Sequence, residues 1–148
     1  MSANGLDVFD KSLQTTNIWL DEIMAEHGPD RQVAWHILGS VLRTTRDKLP
    51  PDLSAHLGGQ LPLLVRGAYY DQYQPARQPS QLRTRDEFLQ AVKDDLQFTR
   101  PIDAEDAVKS VYRVLDRHID RGQAEKVRAA LNEDIRTLWA SGETVGNA

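Results

Sequence analysis

The sequence predicts an all-α protein, two tandem pseudo-equivalent helical repeats packed into one helical bundle. Three observations carry that reading. Apolar residues recur at three- and four-residue spacing along most of the chain. Helix start and stop signals interrupt the pattern at regular intervals. The later half also repeats the earlier half's apolar stripes, together with an arginine followed three residues on by an aromatic.

The first helix is expected from about Val8 to Glu26, with Leu13, Leu20, Ile23 and Met24 at helical spacing. Gly28-Pro29 stops it, because glycine accepts the left-handed cap and proline cannot continue a helix. Asp30 then offers its carboxylate to the free N–H groups of a second helix. That helix carries Ala34, Leu38, Val41 and Leu42 on one stripe, with Val33 and Ile37 beside it. Pro50 and Pro51 end it at Leu49 by pushing the preceding residues out of the α region. A short helix from Asp52 to Leu57 follows, broken by Gly58 and Gly59, and Pro62 opens another that carries Leu64, Val65 and Ala68 towards Tyr69. The stretch Gln72–Leu82, QYQPARQPSQL, has no periodicity and reads as the interior linker.

Thr84 and Glu87 have the spacing of a capping box ahead of Phe88, Leu89, Val92 and Leu96. Asp103 caps the next helix, whose stripe is Ala107, Val108, Val111, Val114, Leu115 and Ile119. Gly122 begins a short helix bearing Val127 and Leu131. A last helix from Glu133 to Ala140 carries Ile135, Leu138 and Trp139. Residues 141–148, SGETVGNA, have nothing to bury and read as a disordered tail.

These elements divide into a first unit at 8–73, a linker at 74–83 and a second unit at 84–140. Ala34, Leu38, Val41 and Leu42 pair with Ala107, Val111, Val114 and Leu115. A three-residue contraction of the following loop then pairs Leu57 with Val127, Leu61 with Leu131, Val65 with Ile135, Arg66 with Arg136 and Tyr69 with Trp139. Two copies are expected to pair into one body rather than a solenoid.

With 148 residues, 40% apolar and 27% charged, the chain has ordinary globular usage and enough length for a core. No apolar run approaches the ~20 residues of a membrane helix, and the N-terminus has no secretory pattern. Without cysteine there are no disulfides, no thiol catalysis and no cysteine-held zinc; a cytoplasmic protein is expected. The net charge of -4 with interspersed signs gives no general attraction to phosphate backbones.

The passage VLRTTRDKLPPDLSAHLGGQLPLLVRGAYYDQYQPARQP resembles the central signature of a bacterial family known as domain of unknown function 2267. Its most specific part is Leu61, Pro62, Leu64, Arg66, Gly67, Tyr69 and Tyr70. VYRVLDRHIDRGQAEKVRAALNEDIRTLW is similar to the family's C-terminal portion, so the resemblance runs from about Phe9 to Trp139. Tyr73 stands where a tryptophan is expected, and Leu131-Asn132 where members often read leucine–proline. The resemblance implies an all-helical bacterial protein and brings no activity, cofactor or catalytic residue.

The residues point to no catalytic set. His27, His36, His56 and His118 contain no pair three or four apart, the spacing of two ligands on one helix face. Asp94-Asp95, Asp103–Asp106 and Glu133-Asp134 read as solvated surface or helix starts, because adjacent acids point about 100° apart. Gly58-Gly59 lacks the lysine and strand of a phosphate loop and reads as a turn. Ser40 and Ser110 lie inside helices rather than in a nucleophile elbow. Arg66 and Arg136 are expected in partly buried ion pairs, with Asp47 and Asp120 as candidate partners. Tyr69 is expected inside, with Tyr73 and Tyr70 at the surface beside Arg77 as an interaction surface; the alternative is that the linker folds back and covers both rings.

The function expected is therefore a non-enzymatic protein-interaction or scaffold domain, with no cofactor or metal. Its partner would be a protein, a second copy included, with no membrane role. Two alternatives stand beside it. One is a small-molecule or anion binder at the junction of the halves using Arg66 and Arg136. The other is a weak nucleic-acid binder through Arg77, Arg83 and Arg85.

Overall fold

Four of the helices begin where a side chain replaces an acceptor that the backbone cannot supply. The Asp30 carboxylate accepts from the N–H groups of Gln32 and Val33 at 2.9 and 3.3 Å. Thr84 and Glu87 form the full capping box: Glu87 N–H donates to the Thr84 hydroxyl at 3.1 Å, and Thr84 N–H to the Glu87 carboxylate at 3.0 Å. Asp103 and Asp120 accept from Asp106 N–H and Gln123 N–H. In this computed structural model, which describes residues 6–97 and 99–140, the helices are α1 Asp7–His27, α2 Arg31–Lys48, α3 Pro51–Gln60, α4 Leu63–Tyr70, α5 Arg85–Asp95, α6 Ala104–His118, α7 Arg121–Ala130 and α8 Glu133–Arg136. A 3₁₀ turn at Pro75–Arg77 interrupts the linker. The tail expected at 141–148 lies outside the described residues.

One apolar core serves both halves. α2 packs on α6 at its centre, α1 lies against α6 while α5 lies against α2, and α3 meets α7. Exchanging the halves carries this set of contacts into itself. The junction is also polar at one point: the Thr45 hydroxyl and the Tyr112 hydroxyl meet at 2.8 Å, and Tyr112 stacks on Trp139 with ring centroids 4.3 Å apart. Burial holds the Tyr112 phenol well above the usual tyrosine range.

Four details differ from the sequence expectation. The buried side of α1 is Thr16, Trp19, Leu20 and Ile23, and Leu13 is exposed because the first turns of the helix extend past the core. The length difference expected in the loop is a difference between helices: α2 has 18 residues and α6 has 15, and both reach the next helix in the same short step. α8 ends at Arg136, and the chain continues to Trp139 in tight turns. There the Thr137 hydroxyl donates to the Asp134 carbonyl, competing with the next helical bond.

The fourth is α3, which runs straight through Gly58 and Gly59. The two glycines have different reasons to be there. A Cβ on Gly58 would stand 2.2 Å from the Tyr70 hydroxyl oxygen, whereas one on Gly59 would meet nothing within 4 Å. Gly58 lets the Tyr70 ring lie on the helix. Gly59→Ala should therefore stabilise the fold by up to ~1 kcal/mol through helix propensity, and Gly58→Ala should destabilise it by about 1–3 kcal/mol through overpacking. Urea melts of the two variants check this; equal effects would remove the packing role of Gly58.

The rim between α1 and α6 is ionic. Glu22 receives Arg117 at 2.7 Å and His118 at 2.6 Å, Glu26 pairs with Arg113, and the His118 ring stacks on Trp19. Burial pushes the Glu22 carboxyl up, but hydrogen bonds from His118 and Arg117 outweigh it and leave the group below its ordinary value of 4.5. A carboxyl depressed in the folded state stabilises above its unfolded value and loses that effect as pH falls through its folded one. Glu22→Gln should melt below the wild type at neutral pH, with the two converging as pH drops below 4.5. A difference that persists into acid would assign the loss to packing instead.

Candidate functional site

The stripe of α2 does not stop at Leu42. Its continuation at helical spacing falls on Thr45, Arg46 and Leu49, so a cation occupies a core position. Arg46 is only 3% exposed. One guanidinium nitrogen donates to the carbonyls of Tyr69 at 2.6 Å and Asp71 at 2.8 Å, and Nε donates to Asp47 at 2.9 Å. The guanidinium also lies 4.8 Å over the Tyr73 ring.

The linker is laced onto this end of α2. The Gln78 side-chain amide lies within hydrogen-bond reach of the carbonyls of Arg46 and Leu49 and of the Ser54 hydroxyl. Tyr73 donates its hydroxyl to the Gln78 side-chain oxygen. Ser80 N–H donates to the Asp47 carbonyl at 2.7 Å, and the Lys48 ammonium donates to the carbonyls of Ser80 and Leu82. Burial, followed by the Arg83 charge, pulls the Lys48 ammonium below the usual lysine range.

The candidate residues fall differently around this cluster. Tyr69 is buried as expected and donates its hydroxyl to the Ser54 carbonyl; burial holds its phenol well above the usual range. Tyr70 and Tyr73 are half-buried, with Tyr70 edge-on to Tyr69 and Tyr73 under Arg46, because the linker folds back over them. Arg77 alone of the three is exposed.

Arg66 and Arg136 are in no ion pair among the described residues. Each guanidinium donates to the carbonyl five residues upstream, Leu61 at 3.1 Å and Leu131 at 2.9 Å, and Arg136 also reaches the carbonyls of Arg128 and Ala129. They satisfy the C-terminal ends of α3 and α7, where unpaired carbonyls favour a cation. Of the expected partners, Asp47 pairs with Arg46, and Asp120 caps α7.

Of the linker arginines, Arg85 pairs with Glu105 at 2.7 Å. Arg77 and Arg83 make no ion pair among the described residues and line, with Lys48, a cleft of about 490 Å³. Arg46, Lys48 and Gln78 were not among the sequence candidates, although extending the α2 stripe by one turn reaches the first of them.

A second surface lies at the start of α1. No described residue before Thr16 is buried, yet Val8, Phe9 and Leu13 continue the side of the helix that carries Trp19 and Leu20. Leu6, Val8, Phe9, Leu13, Leu63 and Leu64 are each between 42% and 54% exposed. Val8 and Leu63 line one groove together with Asp7, Lys11, Ser12, Thr15 and Pro62.

Among the described residues no three histidine or carboxylate side chains gather as a metal site, and no helix is long and apolar enough to cross a membrane. The architecture is that of an all-α helical bundle whose cross-linker is pinned to a buried arginine. The chain belongs to the family described as uncharacterized conserved protein (DUF2267), which it matches over residues 16–138. No curated protein matches it.

Replacing Arg46 by methionine removes the charged donor from the buried Tyr69 carbonyl and the part-buried Asp71 carbonyl and frees the linker. A loss of about 2–4 kcal/mol is expected in urea melts. Arg66→Met and Arg136→Met should each cost under about 1.5 kcal/mol, since helix-end carbonyls near the surface can bind water instead. Equal costs at the three positions would show that Arg46 does not anchor the linker.

Proposed function

We propose that the protein is a non-enzymatic interaction domain that works through self-association, using the uncovered face of α1 and α4. The observation that carries this is the set of half-exposed apolar side chains Leu6, Val8, Phe9, Leu13, Leu63 and Leu64. Six side chains of this size offer on the order of 500 Å² of apolar surface, about what a standard interface of ~800 Å² per partner contains. The occupant is a second copy. The groove between the helices carries Asp7 and Lys11 one turn apart, so a two-fold axis across it can set each against the other's counterpart. Val8 of one copy then meets Leu63 of its mate, the self-complementarity an isologous interface requires.

The same proposal takes the two halves as a tandem repeat. Its support is the exchange-related contacts of α1 to α8 and the matched Arg66 and Arg136 geometries. A bacterial cytoplasmic setting is part of the proposal; the bacterial part rests on the family resemblance and the cytoplasmic part on a sequence without cysteine.

The double variant Val8→Glu with Leu63→Glu tests the reading by analytical ultracentrifugation from low to high micromolar concentration. The wild type should show concentration-dependent dimers. The variant should remain monomeric with an unchanged melting temperature, because neither side chain is in the core. A wild type that is monomeric throughout, or a variant that dimerises equally well, overturns the proposal.

A further inference from the structure

The cleft beside the linker has an electrostatic character at odds with the rest of the chain. The protein carries a net charge of -4, yet Lys48, Arg77 and Arg83 line this cleft with Ala76, Gln78, Pro79, Ser80, Gln81 and Asn132, and no carboxylate does. The Lys48 ammonium senses the charge of the Glu87 carboxylate. That group is already engaged as an acceptor from the backbone N–H groups of Arg83 and Thr84 at 2.9 and 3.0 Å.

Lys48 is 8% exposed and, among the described residues, its ammonium donates to backbone carbonyls and forms no ion pair. A buried ammonium without a counter-charge is costly, and an anion that enters beside it relieves that cost. Two of its three N–H bonds go to the Ser80 and Leu82 carbonyls, which leaves one for a ligand. The guanidiniums of Arg77 and Arg83 bring planar forks that match the paired oxygens of a phosphate. Asn132 adds an amide. It stands at the N-cap position of α8 yet makes no side-chain cap bond, so its donors and acceptor are not consumed there.

We propose that this cleft binds a diphosphate group carried by a small molecule, with Lys48 at its floor and Arg77 and Arg83 as the clamp. Three cations exceed what one monoanion balances. A volume of about 490 Å³ also leaves room for an organic portion beyond the phosphates. This site is separate from the α1–α4 face and does not depend on self-association.

Isothermal titration with pyrophosphate, ADP and orthophosphate tests the proposal. Pyrophosphate and ADP should bind at least tenfold more tightly than orthophosphate, with affinity falling as salt is raised. The double variant Arg77→Gln with Arg83→Gln, both exposed, should keep the wild-type melting temperature and lose at least tenfold in pyrophosphate affinity. No heat with either diphosphate, or the same affinity in the variant, overturns it. A single-stranded oligonucleotide provides the remaining arm: affinity that grows with strand length and exceeds that for ADP would overturn the small-molecule site in favour of a strand-binding groove.

Discussion

The structure depends on a cation buried at the end of a helix. Arg46 sits where the core pattern of α2 calls for an apolar side chain, and it can stay there because Nε and one terminal nitrogen have acceptors and the guanidinium lies over the Tyr73 ring. Most of that satisfaction comes from backbone: the Tyr69 and Asp71 carbonyls belong to the last turn of α4 and the residue after it. Arg43, one turn earlier, gives a further donor to the Ala68 carbonyl and pairs with Asp95 on α5. The arrangement serves both parties. α4 has eight residues, too few to hold together alone, and its orphan carbonyls receive charged donors from a longer helix. In return, the arginine has its charge compensated, and the linker leaves α4 in a fixed direction.

The two halves share devices until that point and then diverge. At the start of α4 and α8, Pro62 and Asn132 have nearly the same backbone angles, φ -56° for both, although only one is proline. Arg66 and Arg136 make the same five-residue reach to a carbonyl. Where the first half has Arg43, however, the second has Asp116, whose carboxylate accepts from the Trp139 indole at 2.9 Å. The arginines of α2 belong to the half that has to hold a linker. The second half ends its core with a stacked Tyr112–Trp139 pair instead.

Pinning the linker also creates the chemistry around it. Folding 71–82 back over Tyr70 and Tyr73 withdraws two aromatic rings from solvent and turns Arg77 and Arg83 towards the same cleft as Lys48. The arginines that look in sequence like a solvated basic stretch thereby become convergent, while Arg85 is drawn away into a pair with Glu105 and Thr137. The apolar face at the beginning of α1 arises from a different cause, the overhang of a 21-residue helix past the core that covers its later turns.

What the sequence determined by itself was everything that acts within one turn or along one helix face. Asp30, Thr84 with Glu87, and Asp103 cap where their spacing says they should, since a capping side chain reaches only two or three residues. The stripes of α2 and α6 are buried as their period requires, and the family follows from the central signature. Tertiary structure decided whatever depends on a neighbour distant in the chain. Gly58 and Gly59 look like a helix stop, but α3 continues through both, and Gly58 leaves the space that the Tyr70 ring occupies. Arg66 and Arg136 suggest ion pairs, yet the nearest acceptors that the fold presents are helix-end carbonyls. Arg46 finds its partners 23 and 25 residues away, and Lys48 finds its own 32 and 34 residues on. Periodicity marks a position as inward-facing; only the folded chain supplies the groups that make a charge tolerable there.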